Sequence, residues 1–361
     1  MEVQGSVAAA FTGVRDVFAD VLAGQPGTGA SFAVWHEGDW VVDLWGGHAD
    51  VGHRRPWRHD TLVMPYSVTK PFAAVCVLTL VDRGLVDLDA PMQRYWPELQ
   101  AAATVRDALS HRAGIVALDA EAPEEAFYDW DLMCSLLARQ EPSWAPGTAQ
   151  GESALFYGHL LGQVVRAVDD RTLGRFLREE ICGPHDLDFH IGLEDGELAR
   201  VADLTGFDGE FTASQEGYPD LYRRAIENPP GARDPRVVNG DRWRRAEIPA
   251  VNGHGTARAV AGFYVALAHG RLVGPSLVAE LARGGGVERD LVIGDDEREW
   301  SVGGVAVDDD GYGMGGTGGS FGWWSERGQY AVAFLTGHIG THDRGDRLEG
   351  VVRDALGLPA L

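Results

Sequence analysis

Between residues 7 and 22 the apolar positions Ala10, Phe11, Val14, Val17, Phe18, Val21 and Leu22 recur at helical spacing. That period predicts an amphipathic helix with one buried face. Gly24-Gln25-Pro26-Gly27 breaks it. Residues 31–35 and 41–47 read as two strands, and His36-Glu37-Gly38-Asp39 between them makes a hairpin. From Phe72 to Val81 the chain is almost wholly apolar. A helix that is hydrophobic all round is a buried one, and Asp82-Arg83-Gly84 closes it with the glycine usual past a helix end. Helical patterns return at 104–109, 130–138, 154–168 and 173–181. Residues 206–251 are irregular and dense in Pro, Gly and Arg. A stretch that long in a compact domain is usually functional, and it is expected to form one wall of a pocket. Residues 256–267 are again helical, 301–307, 319–325 and 330–336 read as strands, and 347–356 as a last helix. Strands at both ends with helices between predict an α/β sheet built from both termini. The expected division is a discontinuous α/β domain (1–92 and 250–361) carrying a mostly helical insertion (93–249), with no internal repeat.

Composition narrows the function classes. The 361 residues suffice for a full core, and 45% hydrophobic with 24% charged residues is a soluble globular balance. A formal charge of -23 repels nucleic acid and anionic membranes, so neither is expected as a partner. Cys76, Cys134 and Cys182 are far apart and show no metal spacing. Residues 1–24 lack a basic region and a continuous apolar core, so no signal peptide is read, and no apolar run reaches membrane-spanning length. A cytoplasmic protein without cofactor or metal is expected, of open oligomeric state.

Chemistry enters at the front of the apolar helix, where Ser67 and Lys70 stand three residues apart. Positions i and i+3 share a helix face, so hydroxyl and amine can meet. Burial pushes a lysine pKa down, and a neutral amine beside a serine is a general base beside a nucleophile. Ser-x-x-Lys alone reads first as a helix start with a serine cap and a surface lysine. Pro71 disfavours α geometry at Lys70, so an irregular first turn is expected.

Further stretches give the pair a context. Thr61 to Lys70, followed by Leu80 to Pro91, resembles the nucleophile helix and following turn of the serine β-lactamase and penicillin-binding-protein superfamily, in its class C and family VIII esterase branch. Thr104 to Ile115 resembles that family's Leu-Leu-x-His-x-Ser-Gly segment, and Trp144-Ala145-Pro146-Gly147 with Phe156-Tyr157-Gly158-His159 resembles its Pro-Gly…Tyr-x-Asn segment. The ordered match spans roughly residues 30 to 340. The resemblance implies a β-lactamase-like α/β (α+β) fold: a central, mainly antiparallel sheet flanked by helices, plus a helical domain, with the active site at the domain interface. It further implies that Ser67 attacks a carbonyl carbon, that Lys70 sits neutral beside it, and that Tyr157, its pKa lowered by the lysine, relays the proton. The backbone amides of Ser67 and Thr317 would form the oxyanion hole.

Two departures bear on substrate. His159 stands where the family often carries asparagine, and Met314-Gly315-Gly316 stands where it carries Lys-Thr-Gly or His-x-Gly. Without a cation at 314 to hold a carboxylate, a neutral ester or amide fits better than a β-lactam or peptide. His159, His254, Met314, Gly315 and Gly316 are the substrate-contact candidates, although His254 equally fits a turn and cap. Tyr157 alone also reads as a core aromatic at a helix start. Gly318-Gly319-Ser320-Phe321-Gly322 spells the α/β-hydrolase elbow, but strand pattern rather than helix follows it. His338 and His342 have ligand spacing only if helical, and Gly337, Gly340 and Gly345 break a helix. Three readings result: a serine esterase or amidase; a transacylase moving the acyl group to an amine or alcohol; and a non-catalytic binding protein on the same fold.

Overall fold

The hairpin forms where the alternation puts it. In the computed structural model, which describes residues 2–24, 28–52, 54–207 and 209–360, strands β2 (Ala30–His36) and β3 (Asp39–Gly46) pair antiparallel. Their turn places Glu37 at φ 50° and Gly38 at φ 97°, the left-handed pair that matches strand twist. β1 (Val3–Val7) pairs along the outer edge of β3. The first helix therefore starts later than its apolar period suggests, at Thr12, and runs to Ala23. Of the expected break at 24–27, residues 25–27 lie outside the described residues.

The middle of the chain is helical, with one short ladder between β4 (Phe189–His190) and β5 (His254–Gly255). The chain then returns to the sheet as β6 (Ala306–Val307), β7 (Gly311–Gly315), β8 (Phe321–Ser325) and β9 (Tyr330–Thr336). The strand order is β1-β3-β2-β9-β8-β7-β6, antiparallel throughout. β2 pairs with β9 from Ala30↔Thr336 to His36↔Tyr330, so the two ends of the chain meet at the sheet centre.

β9 is buried on both faces. Its Val332 and Phe334 face Phe18, Leu348 and Val352 from the helices Thr12–Ala23 and Asp343–Leu356. Ala331, Ala333 and Leu335 belong instead to the larger core, with Val260 and Tyr264 of the helix Ala257–Ala268. This alternation follows from the two-residue period of a strand. β7 (Gly-Tyr-Gly-Met-Gly) carries no such pattern. Its glycines serve close approach: a Cβ on Gly313 would lie 2.3 Å from the Gly322 carbonyl oxygen.

The apolar helix spans Lys70–Asp82, and every side chain from Lys70 to Leu80 is buried. It packs against the helix Tyr157–Asp169. Ahead of it, Tyr66–Thr69 form a 3₁₀ turn, the irregular start that Pro71 predicts. Lys70 itself is nonetheless α-helical, at φ -60° and ψ -43°. The expected loop at 206–251 contains short helices, among them Asp220–Glu227 and Asp241–Arg245. No helix among the described residues is long and apolar enough to cross a membrane.

Candidate active site

Ser67 sits inside the 3₁₀ turn at the head of the buried helix. Tyr66 before it holds φ 49°, a region costly for a bulky residue, and its hydroxyl donates to the Ala232 carbonyl at 3.0 Å. That anchor ties the strained residue to the irregular wall. Ser67 Oγ lies on a cavity of about 570 Å³, the size of a small-molecule site.

Lys70 Nζ donates to Ser67 Oγ at 2.7 Å and to the Ala250 carbonyl at 3.3 Å. It also meets Glu152 Oε1 at 2.8 Å, while Ser67 Oγ donates to that same oxygen at 3.1 Å. The Lys70 side chain is fully buried and that of Glu152 is 12% exposed. An ammonium has three donors, and these three acceptors match them. Burial pulls the Lys70 pKa below an ordinary lysine's, opposed by the Glu152 charge. Burial would raise Glu152, but the charges and hydrogen bonds of Lys70, with His111 and Ser67, outweigh it and hold the carboxyl below its usual range. The pair is therefore best described as ionised.

Tyr157 does not join this group. Its hydroxyl donates to the Leu109 carbonyl at 2.9 Å, its ring lies against His111 at 4.6 Å, and it is fully buried. Burial pushes the phenol well above its ordinary pKa, opposite to the lowering that a proton relay requires. Tyr157 begins its helix with the side chain turned into the core. The side chain that reaches the Ser67–Lys70 pair comes from five residues earlier: Glu152, in the segment after Pro146-Gly147.

A buried scaffold fixes Glu152. Its amide donates to Asp290 Oδ2 at 2.9 Å. Asp290 also accepts from Trp300 Nε1 at 2.7 Å and from the amides of Val292 and Ile293 at 2.8 and 2.9 Å. Next to it, the Ser153 amide donates to His111 Nδ1 at 3.2 Å. His111 is thus structural and neutral, its pKa pulled down to about 3 by burial.

The other candidates divide. Met314, Gly315, Gly316 and Thr317 line the cavity with Ser67. The end of β7 presses on the Ser67 turn: a Cβ on Gly316 would lie 2.0 Å from the Pro65 carbonyl oxygen and 3.4 Å from the Ser67 amide nitrogen. His159 is not a lining residue. It is buried against Trp130 at 4.7 Å between ring centres, and burial lowers its pKa to about 4. His254 is likewise buried, opposite His190 in the β4–β5 ladder. Both are corrections to the expected substrate contacts, because their elements face inward. Ser320 is 2% exposed, and its oxygen accepts from the Thr336 amide at 3.2 Å, so it is a sheet-end bond rather than a nucleophile. His342 lines the cavity.

The irregular segment does form a wall, through Gln215, Tyr218, Tyr222, Ile226, Ala232 and Arg233. Missing from the sequence reading were Glu152 and the Asp290 scaffold. A lone glutamate in a Gly-Glu-Ser run carries no periodicity, and only its distance after Pro146-Gly147 could have pointed to it.

Comparison with known proteins agrees with this geometry. The family model described as Beta-lactamase matches residues 14–356. The esterase/beta-lactamase LipL of Mycobacterium tuberculosis (strain ATCC 25618 / H37Rv) is 32% identical over 358 residues, covering 91% of this chain and 81% of the relative. A solved family VIII carboxylesterase superposes with a TM-score of 0.88 at 36% identity, covering 98% of this chain and 100% of that one. A penicillin-binding protein homolog from Caulobacter crescentus superposes with a TM-score of 0.87 at 33% identity, covering 98% and 100%. With its family signature over nearly the whole length and a lysine-paired serine on the cavity, the chain belongs to the beta-lactamase family and is a serine hydrolase built on that fold.

Proposed function

We propose that the protein is a carboxylesterase that cleaves small neutral esters through an acyl-enzyme on Ser67. The observation carrying this reading is the 2.7 Å contact between Lys70 Nζ and Ser67 Oγ on the cavity wall. A serine so placed can attack an ester carbonyl, and the expelled alcohol leaves the acyl group on Oγ. The amides of Ser67 and Thr317 are the proposed oxyanion donors. This assignment is supported by the approach of Gly316 to the Ser67 nitrogen and by the position of Thr317 on the cavity.

The lining supports a neutral substrate. Four carboxylates (Glu152, Asp308, Asp346, Glu349) face two arginines (Arg233, Arg298), with Met314 at the end of β7. Position 314 offers an anionic substrate a thioether rather than a cation. Tyr66, Tyr218, Tyr222, Trp300, Phe321 and Trp323 give the cavity aromatic walls that suit an apolar acyl or alcohol group. Water is the proposed acceptor, and added alcohols test this by competing for the acyl group. Residues 93–249 remain the proposed insertion and the cytoplasm the proposed location.

The test is turnover of p-nitrophenyl butyrate by the wild type and Ser67→Ala. Hydrolysis lost in Ser67→Ala supports the reading. Equal turnover by both proteins overturns it.

A further inference from the structure

We propose, building on the Ser67 acyl-enzyme reading, that the Glu152 carboxylate is the general base of both half-reactions and that Lys70 stays a charged ammonium throughout.

Two geometric facts carry this. Glu152 Oε1 is the oxygen to which the Ser67 hydroxyl donates, at 3.1 Å. Lys70 Nζ is meanwhile a donor to Ser67 Oγ, Glu152 Oε1 and the Ala250 carbonyl. A base must lie within hydrogen-bond reach of the proton it removes. Glu152 meets that condition, whereas a lysine with all three donors engaged has no lone pair to offer. The Tyr157 hydroxyl, expected from the resemblance to relay the proton, is committed to the Leu109 carbonyl.

In acylation the Oγ–H bond breaks, its proton passes to Glu152 Oε1, and Oγ bonds to the ester carbonyl carbon. When the tetrahedral species collapses, the carbon–oxygen bond to the alcohol breaks, and the proton on Glu152 leaves with the alcohol. In deacylation water gives its proton to Glu152 while its oxygen attacks the acyl carbon, and the proton then returns to Ser67 Oγ as the acid departs. One water is consumed, no proton is gained or lost on the enzyme, and the ammonium holds the developing charge near Oγ.

The carboxylate works in a defined field. Lys70 faces it from the nucleophile helix, His111 from the turn behind, and Asp290 from beneath its own amide. Tyr218 and Tyr222 stand across the cavity within reach of its charge, and Arg233 and Arg298 line the same cavity. The two schemes then differ in pH dependence. A carboxylate base is ready once ionised, so kcat/KM loses its acid limb only below the 4.5 of an ordinary glutamate and is flat through neutrality. A lysine base gives kcat/KM rising tenfold per pH unit toward alkali until the amine is free.

The experiment is the kcat/KM–pH profile for p-nitrophenyl butyrate of the wild type, Glu152→Gln and Glu152→Asp, with fluorophosphonate labelling of each. The expected wild-type profile is flat from mildly acidic to neutral pH. Glu152→Gln should lose about 10²–10⁴-fold, and its residue of activity should climb with pH, because Lys70 without its counter-ion gives up its proton and becomes the base. Glu152→Asp should recover part of the loss with the flat profile. A wild-type profile that rises steadily through neutrality overturns the proposal whether or not the variants fold. So does Glu152→Gln retaining activity within threefold on an unchanged profile. Failure of Ser67 to take the fluorophosphonate in the wild type would strike the acyl-enzyme reading itself, a distinct result.

Discussion

Replacing Gly316 with alanine should cripple the enzyme while leaving it folded. The added Cβ would lie 2.0 Å from the Pro65 carbonyl oxygen, whereas carbon and oxygen settle at about 3.3 Å or more. Either the end of β7 or the nucleophile turn must therefore retreat by about 1.3 Å. Neither can yield elsewhere: the Gly316 amide donates a hydrogen bond to the Ser320 carbonyl at 2.7 Å, and Pro65 precedes the strained Tyr66. A displacement of that size between Ser67 and the amides beside it costs about 10²-fold in rate when reacting atoms lose alignment. Overpacking of this kind costs about 1–3 kcal/mol of stability. The assay is kcat/KM for p-nitrophenyl butyrate beside a thermal melt. A variant within threefold of wild-type kcat/KM would show that the β7 end takes no part in holding the transition state.

Other perturbations separate the site from its surroundings. Tyr157→Phe should keep kcat/KM within about threefold, since the hydroxyl serves only Leu109, and should lower stability by about 1 kcal/mol for the lost bond; a loss of 10²-fold or more would restore Tyr157 as a proton carrier. Asp290→Ala leaves four donors, two of them buried, without their acceptor. It should destabilise by about 2–4 kcal/mol and lower kcat more than it changes KM, read from urea melts and steady-state kinetics. Glu349 is buried beside Tyr330, and burial first of all raises its pKa to about 7 from 4.5. The folded state thus holds a proton that the unfolded state releases, so the contribution of Glu349 to stability is full below pH 4.5 and is lost as pH rises through about 7. Glu349→Gln should remove that fall and raise stability at pH 8 by an amount on the order of 3 kcal/mol; urea midpoints at pH 4.5 and 8 check it, and an unchanged pH dependence would contradict it.

Much of the scaffold was legible because its signals are local. The hairpin follows from alternation and a Glu-Gly turn, the buried helix from an unbroken apolar run, and the irregular nucleophile turn from Pro71. What escaped was set by contacts distant in sequence. β1 is short and mostly exposed, so its apolar pattern says little, and β7 is built of glycines that serve close packing. Ser67 and Lys70 were visible together because helix geometry guarantees that i and i+3 meet. The third member was placed at Tyr157 by resemblance to the family's Tyr-x-Asn segment, whereas its place is decided by which side chain the Asp290 scaffold turns toward Lys70. His159 and His254 look like substrate contacts in sequence because their burial depends on partners in other elements, Trp130 and His190.

The most direct test of the central claim is intact-mass analysis after brief reaction with a fluorophosphonate, for wild type and Ser67→Ala side by side. The account predicts one stoichiometric adduct on the wild type, mapped to Ser67, and none on Ser67→Ala. An adduct of equal extent on Ser67→Ala, or a wild type that stays unmodified while it turns over esters, would contradict it.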